Sequence, residues 1–302
     1  MRLTPLRRLL LLFALSALAA CHSHNQNGAG AAETPEGAVR QSLVLIRAGD
    51  FDGFLRHALP ARDYATLRAD WEYNRTRQPA LAEVDRARID ATLQQLRAPD
   101  AAATLDAQLQ PWLAQTQARY GDQLPMLVNV ARVLASGAVV RNNALSEAQK
   151  QHLNALLQAL APWAQRAPWF DPGKAHQAVA VAVATTQRLD LRDAQSLRTQ
   201  DFDHAMRSYT ILFHALEQVL ALYGLPVDQA LASAHAVPLD YHPPYARVRV
   251  EYTLFGQPLG LESTLVQQDG HWYDQDLINS VREAHGRLTA PPEAATTLPP
   301  AR

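Results

Sequence analysis

The period of the apolar pattern changes once along this chain. From residue 34 to about residue 236, apolar side chains recur every three or four positions, which is typical of helices with one buried face. From residue 246 onward, apolar and polar residues alternate, which is typical of half-buried strands. The sequence therefore predicts an α+β protein that is mainly α, a helical body with a small C-terminal antiparallel sheet.

Start and stop signals mark several of the helices. Thr34-Pro35-Glu36 combines a capping side chain, a proline and an acidic first turn, and Gly49 ends the helix that follows. Ser146 and Gln149 form a capping box at the start of another helix. Residues 178–184 alternate between alanine and valine, a pattern that would permit a strand. We expect a helix there, because alanine is the strongest helix former.

The clearest helix runs from Asp203 to Tyr223. Its apolar residues fall within an arc of ~140°, and Phe213 lies inside that arc. We expect Phe213 to be buried and His214, near the opposite side, to lie at the surface. Asp201 and Asp203 stand at the start of this helix, where carboxylates cap free N–H groups and complement the helix dipole.

About three strands are predicted between residues 246 and 275. The first carries the alternation, the second is Leu261–Gln268, and the third begins at His271. Asp269-Gly270 joins the last two strands and is a two-residue hairpin signal of type I′. A short helix follows, so we expect one folded domain over residues 34–287. Residues 288–302 contain four prolines and no apolar pattern, and we expect a disordered tail.

The first twenty residues have the three parts of a secretory signal peptide. Arg2, Arg7 and Arg8 give a positive start, Leu9–Ala20 is an uncharged apolar run, and Cys21 follows two small residues. The run is too short for a membrane-spanning helix, which needs ~20 apolar residues. We expect residues 21–33 to form a flexible tether, and we expect no other apolar stretch of spanning length in the chain.

The segment Leu18-Ala19-Ala20-Cys21 resembles the lipobox of bacterial lipoproteins. That resemblance implies cleavage before Cys21, a diacylglycerol thioether on its sulfur and a fatty acyl group such as palmitate on its amine. Two or more acyl chains hold a protein on a membrane stably. His22 rather than aspartate follows, which in enteric lipoproteins favours the outer membrane, facing the periplasm. The alternative is an ordinary signal peptide cut after Ala20.

Both ends of the predicted domain resemble the NTF2-like (cystatin-like) domains of bacterial lipoproteins. The resemblance rests on Pro35–Val39 and Gly49–Asp52 at one end, and on the hairpins from Arg247 to Tyr273 at the other. The helical middle departs from that family, so either it is a large insertion or the resemblance is only general. In such a domain Trp272 and Tyr252 would serve a pocket; the alternative is that both belong to the core. Members of the superfamily range from enzymes to binding modules, so the resemblance implies no particular function.

Charge and cysteine content exclude several classes of function. The net charge of −1 becomes −4 when three arginines leave with the signal peptide, and nucleic-acid binding calls for basic patches instead. We therefore expect no nucleic-acid partner. Cys21 is the only cysteine, so the fold has no intramolecular disulfide and must depend on its core in an oxidising compartment.

The best candidate for a ligand or partner site is a proline-flanked loop predicted just before the sheet. Its members are His235, Asp240, Tyr241, His242 and Tyr245. Functional residues concentrate on loops carried by rigid elements. The alternative is that the aromatic residues simply close the end of the sheet. His22 and His24 could bind a metal, but ordering a flexible tether costs entropy. We predict no metal site and no cofactor.

These observations favour a non-enzymatic envelope protein that binds or scaffolds another envelope protein or a small ligand. The sequence has no zinc-protease, nucleophile-elbow, phosphate-loop or dinucleotide-binding motif, and no thiol nucleophile apart from Cys21. Acid–base chemistry by residues that are neighbours only in space stays open. The alternative is therefore a cofactor-free periplasmic hydrolase or isomerase with a cleft near residues 235–245.

Overall fold

The computed structural model of the protein describes residues 34–77 and 79–290. Cys21, the tether and the chain beyond residue 290 lie outside the described residues. Over the described part the fold is α+β and mainly α, with a small antiparallel sheet at the C-terminal end, as the apolar pattern predicts. The sheet has four strands rather than three.

Helices fill most of the chain before the sheet, and one more follows it. In order they are α1 (Pro35–Arg47), α2 (Phe51–Ala58), α3 (Ala61–Arg77), α4 (Glu83–Arg97), α5 (Ala101–Tyr120), α6 (Leu124–Arg141), α7 (Glu147–Arg166), α8 (Pro172–Arg188), α9 (Ala194–Arg198), α10 (Phe202–Leu222), α11 (Val227–Ser233) and α12 (Gln275–Thr289). A short 3-10 turn, Gly121–Gln123, joins α5 to α6.

Local signals account for several helix starts. The Thr34 side chain accepts a hydrogen bond from the backbone N–H of Gly37, and Ser146 and Gln149 form the predicted capping box of α7. Residues 178–184 lie within α8, so the prediction of a helix there is confirmed. The helix predicted over Asp203–Tyr223 is α10.

The sheet is a meander in which each strand pairs antiparallel with the next. Its strands are β1 (His235–His242), β2 (Tyr245–Leu254), β3 (Gln257–Gln268) and β4 (His271–Asp274). Asp269 and Gly270 join β3 to β4 with φ angles of 50° and 81°. Two positive φ values are what a type I′ turn requires, so the hairpin prediction is confirmed. The edge strand β1 lies where the sequence predicts a loop.

One core cluster lies between the inner face of the sheet and helices α1, α7 and α11. Val39 and Leu43 of α1 share it with Leu156 of α7 and with Tyr252 and Trp272 of the sheet. Tyr252 and Trp272 are each only 2% exposed. Both side chains therefore belong to the core, and the inner face of the sheet is filled at these positions.

A second core cluster connects α2 and α10 to α12. The rings of Phe51 and Phe213 meet edge to face, with their centroids 5.5 Å apart. Phe213 is half-buried and contacts both clusters, so it joins the sheet's core to the helical core. Its neighbour His214 is also half-buried, whereas Leu216, which lies in the predicted apolar arc, is 51% exposed.

The helices α5 and α6 are continuous over Ala101–Arg141, and this stretch departs from the sequence prediction. It contains an 18-residue window with a mean hydropathy of 1.4, and none of that window is buried. The stretch is long and apolar enough to cross a membrane by length and composition. The expectation of no further apolar stretch of spanning length is therefore wrong. Four internal charged residues, Asp106, Arg119, Asp122 and Arg132, interrupt the apolar runs and hide the feature from inspection of the sequence.

Candidate functional site

The predicted loop site at residues 235–245 is mostly strand. His235–His242 is β1, which pairs with β2 along its length except for a shift of register between Pro238 and Asp240. A proline is tolerated here because β1 is an edge strand, where a missing N–H breaks few ladder bonds. The loop prediction is wrong because Pro238 and the irregular register disrupt the apolar alternation that identifies strands.

The structure separates His235 from the other predicted site residues, which lie together at the far end of β1 and the start of β2. His235 and His242 are seven residues apart on β1, which corresponds to roughly 24 Å along a strand, too far to share a small ligand. His235 instead faces Glu251, with 3.5 Å between Nε2 and a carboxylate oxygen. The ring of Tyr241 contacts Trp272, with the centroids 5.7 Å apart. Tyr245 begins β2 directly opposite His242.

The negative charge of Asp240 is balanced by an arginine on the neighbouring strand. Arg247 of β2 donates to its carboxylate, with a closest distance of 2.6 Å. This hydrogen bond lowers the pKa of Asp240. A carboxylate held ionised by an arginine suits a structural or binding role better than proton transfer near neutral pH.

A charged cleft lies elsewhere, between the N-terminal parts of α2, α3 and α10. It has a volume of 630 Å³. Its charged lining residues are Asp50, Asp52, Arg56, Arg68, Asp203 and Arg207, and its floor includes Tyr64. Three arginines and three aspartates balance, so the cleft suits a polar ligand of small net charge rather than a strong anion or cation.

Tyr64 is the centre of the hydrogen-bond network in this cleft. Its hydroxyl donates to Asp52 at 2.6 Å and accepts from Arg68 at 3.0 Å and from Arg56 at 3.3 Å. Arg68 also donates to Asp203 at 2.6 Å, which ties α3 to α10. The network therefore holds the three walls of the cleft in one arrangement.

Three charged groups of the cleft, Arg56, Arg68 and Asp203, have pKa values displaced away from neutral pH. The hydrogen bond with Asp203, followed by that with Tyr64, raises the pKa of Arg68. The same ion pair lowers the pKa of Asp203, and the hydrogen bond to Tyr64 raises the pKa of Arg56. General acid–base catalysis requires pKa values near the working pH. These three groups keep their charges there, which favours ligand binding over proton transfer.

Sequence reasoning missed this cleft, and only Asp203 could have indicated it. Asp201 caps α10 as predicted, accepting from the N–H of His204 at 2.7 Å. Asp203, interpreted as a second helix-start carboxylate, turns instead to Arg68, 135 residues earlier in the chain. The pattern of residues close in sequence does not reveal a pairing between two residues that are 135 positions apart.

A buried polar pair lies beneath the sheet. The Nδ1 atom of His152 on α7 donates to the carbonyl of Gly260 at 2.9 Å, which leaves Nε2 unprotonated in the neutral ring. The hydroxyl of Tyr252 lies 3.5 Å from that Nε2 atom. Burial lowers the pKa of His152. This pair anchors α7 to β2 and β3.

Metal-binding clusters are absent from the described residues. Within 34–77 and 79–290, no three His, Cys, Asp or Glu side chains gather around a common point. His214 and Glu217 bond to each other at 2.9 Å, and burial raises the pKa of Glu217. His22 and His24, the candidates for metal binding that the sequence offers, lie outside the described residues.

Comparison of the chain with protein-family models, with curated proteins and with solved structures finds no match. The chemistry of the residues is therefore the basis for any functional proposal.

Proposed function

We propose that this chain is a lipid-anchored protein of the bacterial cell envelope that binds another envelope component and has no catalytic role. The observation that carries the proposal is the order Leu18-Ala19-Ala20-Cys21 directly after a short apolar run and a basic start. Cys21 is the only cysteine in 302 residues, and it stands where a lipid is attached in bacterial lipoproteins. Because His22 follows it, the proposed site is the outer membrane, facing the periplasm.

Three features support binding rather than catalysis. Tyr252 and Trp272 fill the inner face of the sheet at the positions where an NTF2-like pocket would need them open. Arg56, Arg68 and Asp203 of the cleft have pKa values displaced away from neutrality. The long helical stretch Ala101–Arg141 exposes apolar side chains, and exposed apolar patches are typical of interaction sites.

The resemblance to NTF2-like lipoprotein domains is part of this proposal. It is supported by the packing of the two ends that carry it. Val39 and Leu43 of α1 lie in one core cluster with Val248 and Trp272 of the sheet, although most of the chain separates them. In this interpretation the helices α4 to α9 are an insertion between the two halves of a small domain.

The test of the anchor is metabolic labelling with an alkyne analogue of palmitate, followed by intact mass of the purified protein. We expect label on the wild-type chain, loss of the first twenty residues and a mass increase that matches a lipidated Cys21. The Cys21→Ser variant should carry no label. A matched control moves the thiol by two residues, combining Cys21→Ser with Ser23→Cys, and should also carry none.

The location is tested separately, by density-gradient separation of the two membranes. We expect the wild-type protein with the outer membrane and a His22→Asp variant with the inner membrane. An unlabelled wild-type chain cut after Ala20 would contradict the lipid anchor. A labelled chain that stays in the inner membrane would contradict only the proposed location.

A further inference from the structure

The helix α6 is apolar on the side that faces solvent. Six large apolar side chains on this helix are between 41% and 66% exposed: Met126, Leu127, Val130, Val133, Leu134 and Val140. At 100° per residue they fall within an arc of ~140°. We call this arc the α6 face.

The opposite side of α6 is also apolar, and that side packs on α7. Val128, Ala135 and Val139 are half-buried there. A helix that is apolar all round is normally enclosed by protein or by lipid. Here one half of the helix is covered by α7 and the α6 face is not covered by any described residue. Surfaces of this kind mark contact with a partner or a membrane.

The basic residues near the α6 face form no ion pair. Arg141 falls within the arc of the α6 face, Arg119 lies in α5 just before it, and Arg132 falls on the side of α6 that packs on α7. The one acidic residue between 119 and 141 is Asp122. Within residues 34–77 and 79–290, none of the three arginines forms an ion pair with a carboxylate. Long arginine side chains beside an apolar surface can reach lipid phosphates while their stems stay in the apolar layer.

Two exposed aromatic residues of the same helical stretch also fit contact with a lipid surface. Trp112 and Tyr120 of α5 are exposed. Tryptophan and tyrosine are enriched at the membrane–water interface, where an apolar ring and a polar group are both satisfied. The stretch therefore combines an exposed apolar arc, cations that form no ion pair and exposed aromatic residues, a combination that suits a lipid surface.

The fold also places α6 close to the start of the folded chain. Val39 of α1 and Leu156 of α7 lie in one core cluster, and α6 packs on α7. Helix α1 packs on β1 and β2 and helix α7 packs on β3, so α6 is linked to α1 through α7 and the sheet. The tether between Cys21 and Thr34 has twelve residues, which reach about 40 Å when extended. A lipid on Cys21 would therefore allow α6 to lie on the same bilayer.

We propose that the α6 face lies in the plane of an anionic lipid surface and forms a second, non-covalent contact with the membrane that carries the Cys21 anchor. This inference rests on the proposed envelope location but needs no lipid on the protein itself. A spanning arrangement does not fit, because α6 packs lengthwise on α7, whose Leu156 and Ala159 belong to the domain core.

The test uses the mature chain, residues 21–302, with Cys21→Ser, which has neither cysteine nor lipid. A single Val130→Cys substitution then carries an environment-sensitive fluorophore on the α6 face. Val84→Cys, at an exposed valine of α4, is the matched control. Vesicles of phosphatidylethanolamine and phosphatidylglycerol should shift the emission at position 130 to the blue and leave position 84 unchanged. Vesicles of phosphatidylcholine alone should bind more weakly, because they offer no net negative charge.

A second measurement replaces three side chains of the α6 face with glutamine, Met126→Gln, Val130→Gln and Leu134→Gln. Vesicle flotation should fall by at least roughly tenfold, because the buried apolar area is lost. The control triple is Val84→Gln, Leu197→Gln and Leu212→Gln, which are exposed elsewhere and should leave flotation unchanged.

Two results would overturn the inference. An emission shift at position 130 that needs no vesicles and follows a monomer–dimer equilibrium would make the α6 face an interface between copies of this chain. A monomer with no shift on any vesicle would exclude a lipid surface. Neither result depends on lipidation of Cys21, which the labelling experiment decides independently.

Discussion

Arg282 of α12 binds Asp63 of α3 through two hydrogen bonds at once. Nε donates to Oδ1 at 2.8 Å and Nη2 donates to Oδ2 at 2.9 Å. Asp63 is buried, whereas the guanidinium remains half in solvent. This geometry neutralises a buried carboxylate without fully desolvating its partner, and it ties the last helix to the N-terminal helices.

Removal of that arginine should therefore destabilise the fold more than a surface ion pair would. We expect Arg282→Ala to lower the free energy of unfolding by about 2 kcal/mol, because Asp63 loses two charged hydrogen bonds while buried. Arg287→Ala is the matched control on the same helix. Its pair with Glu283 is exposed at 3.4 Å and should contribute less than about 0.5 kcal/mol. Urea unfolding of both variants measures the difference, and equal losses would contradict this account.

Phe213 is expected to matter for stability because it contacts both core clusters. Full truncation of a buried phenylalanine costs about 3–5 kcal/mol. Since Phe213 is half-buried, we expect Phe213→Ala to cost about 3 kcal/mol. Thermal and urea unfolding check the value. A loss below about 1 kcal/mol would mean that the edge-to-face contact with Phe51 is not maintained in solution.

His214, the next residue along α10, contributes to stability through hydrogen bonds rather than through apolar packing. His214 bonds to Glu217 at 2.9 Å, and its other ring nitrogen lies 3.4 Å from the carbonyl of Ala48. We expect His214→Ala to cost about 1 kcal/mol, the net value of a typical hydrogen bond, because the pair with Glu217 is partly exposed to solvent. His214→Gln can keep a donor for Glu217 and should recover part of that loss. No loss in either variant would show that His214 is free in solvent.

The stability of the protein should depend on pH through His152. Burial lowers the pKa of His152 below its ordinary value of 6.5, so the unfolded chain binds a proton more readily than the folded one. Stability is therefore full above about pH 6.5 and falls as the pH drops through that value toward the folded pKa. His152→Gln cannot take up a proton and should reduce the slope of unfolding free energy against pH in that window.

A control separates the burial of the imidazole from its weak contact with Tyr252. Tyr252→Phe removes the hydroxyl 3.5 Å from Nε2 and leaves His152 buried. Because burial is the first cause of the shift, we expect this variant to keep the wild-type slope. Loss of the slope in Tyr252→Phe would mean that the hydroxyl, and not burial, sets the proton affinity of His152.

Much of the helical architecture could be predicted because its signals are local. The capping side chains of Thr34 and Ser146 and the alanine-rich run in α8 act within one or two turns of chain. The Asp269-Gly270 turn was predictable for the same reason, since its two positive φ angles restrict which residues fit. Interactions between residues close in sequence are therefore enough to indicate these elements.

The features that failed or were missed depend on tertiary contacts. The strand β1 exists because β2 offers it a hydrogen-bonding edge, which compensates for Pro238. The charged cleft exists because Arg68 reaches Asp203 across the helical middle. The α6 face is exposed because, among the described residues, no helix other than α7 packs lengthwise on α6. The apolar sequence of α6 alone would predict a helix buried on all sides.

The order of elements along the chain also has a consequence for biosynthesis. Helix α1 leaves the ribosome before the other helices, but Val39 and Leu43 pack on strands that are translated near the end. Contacts so distant in sequence form slowly, because closure of a long loop costs entropy before the contact is made. The N-terminal helix must therefore remain without its cover during synthesis, and a chain interrupted before β4 exposes that apolar surface to proteases.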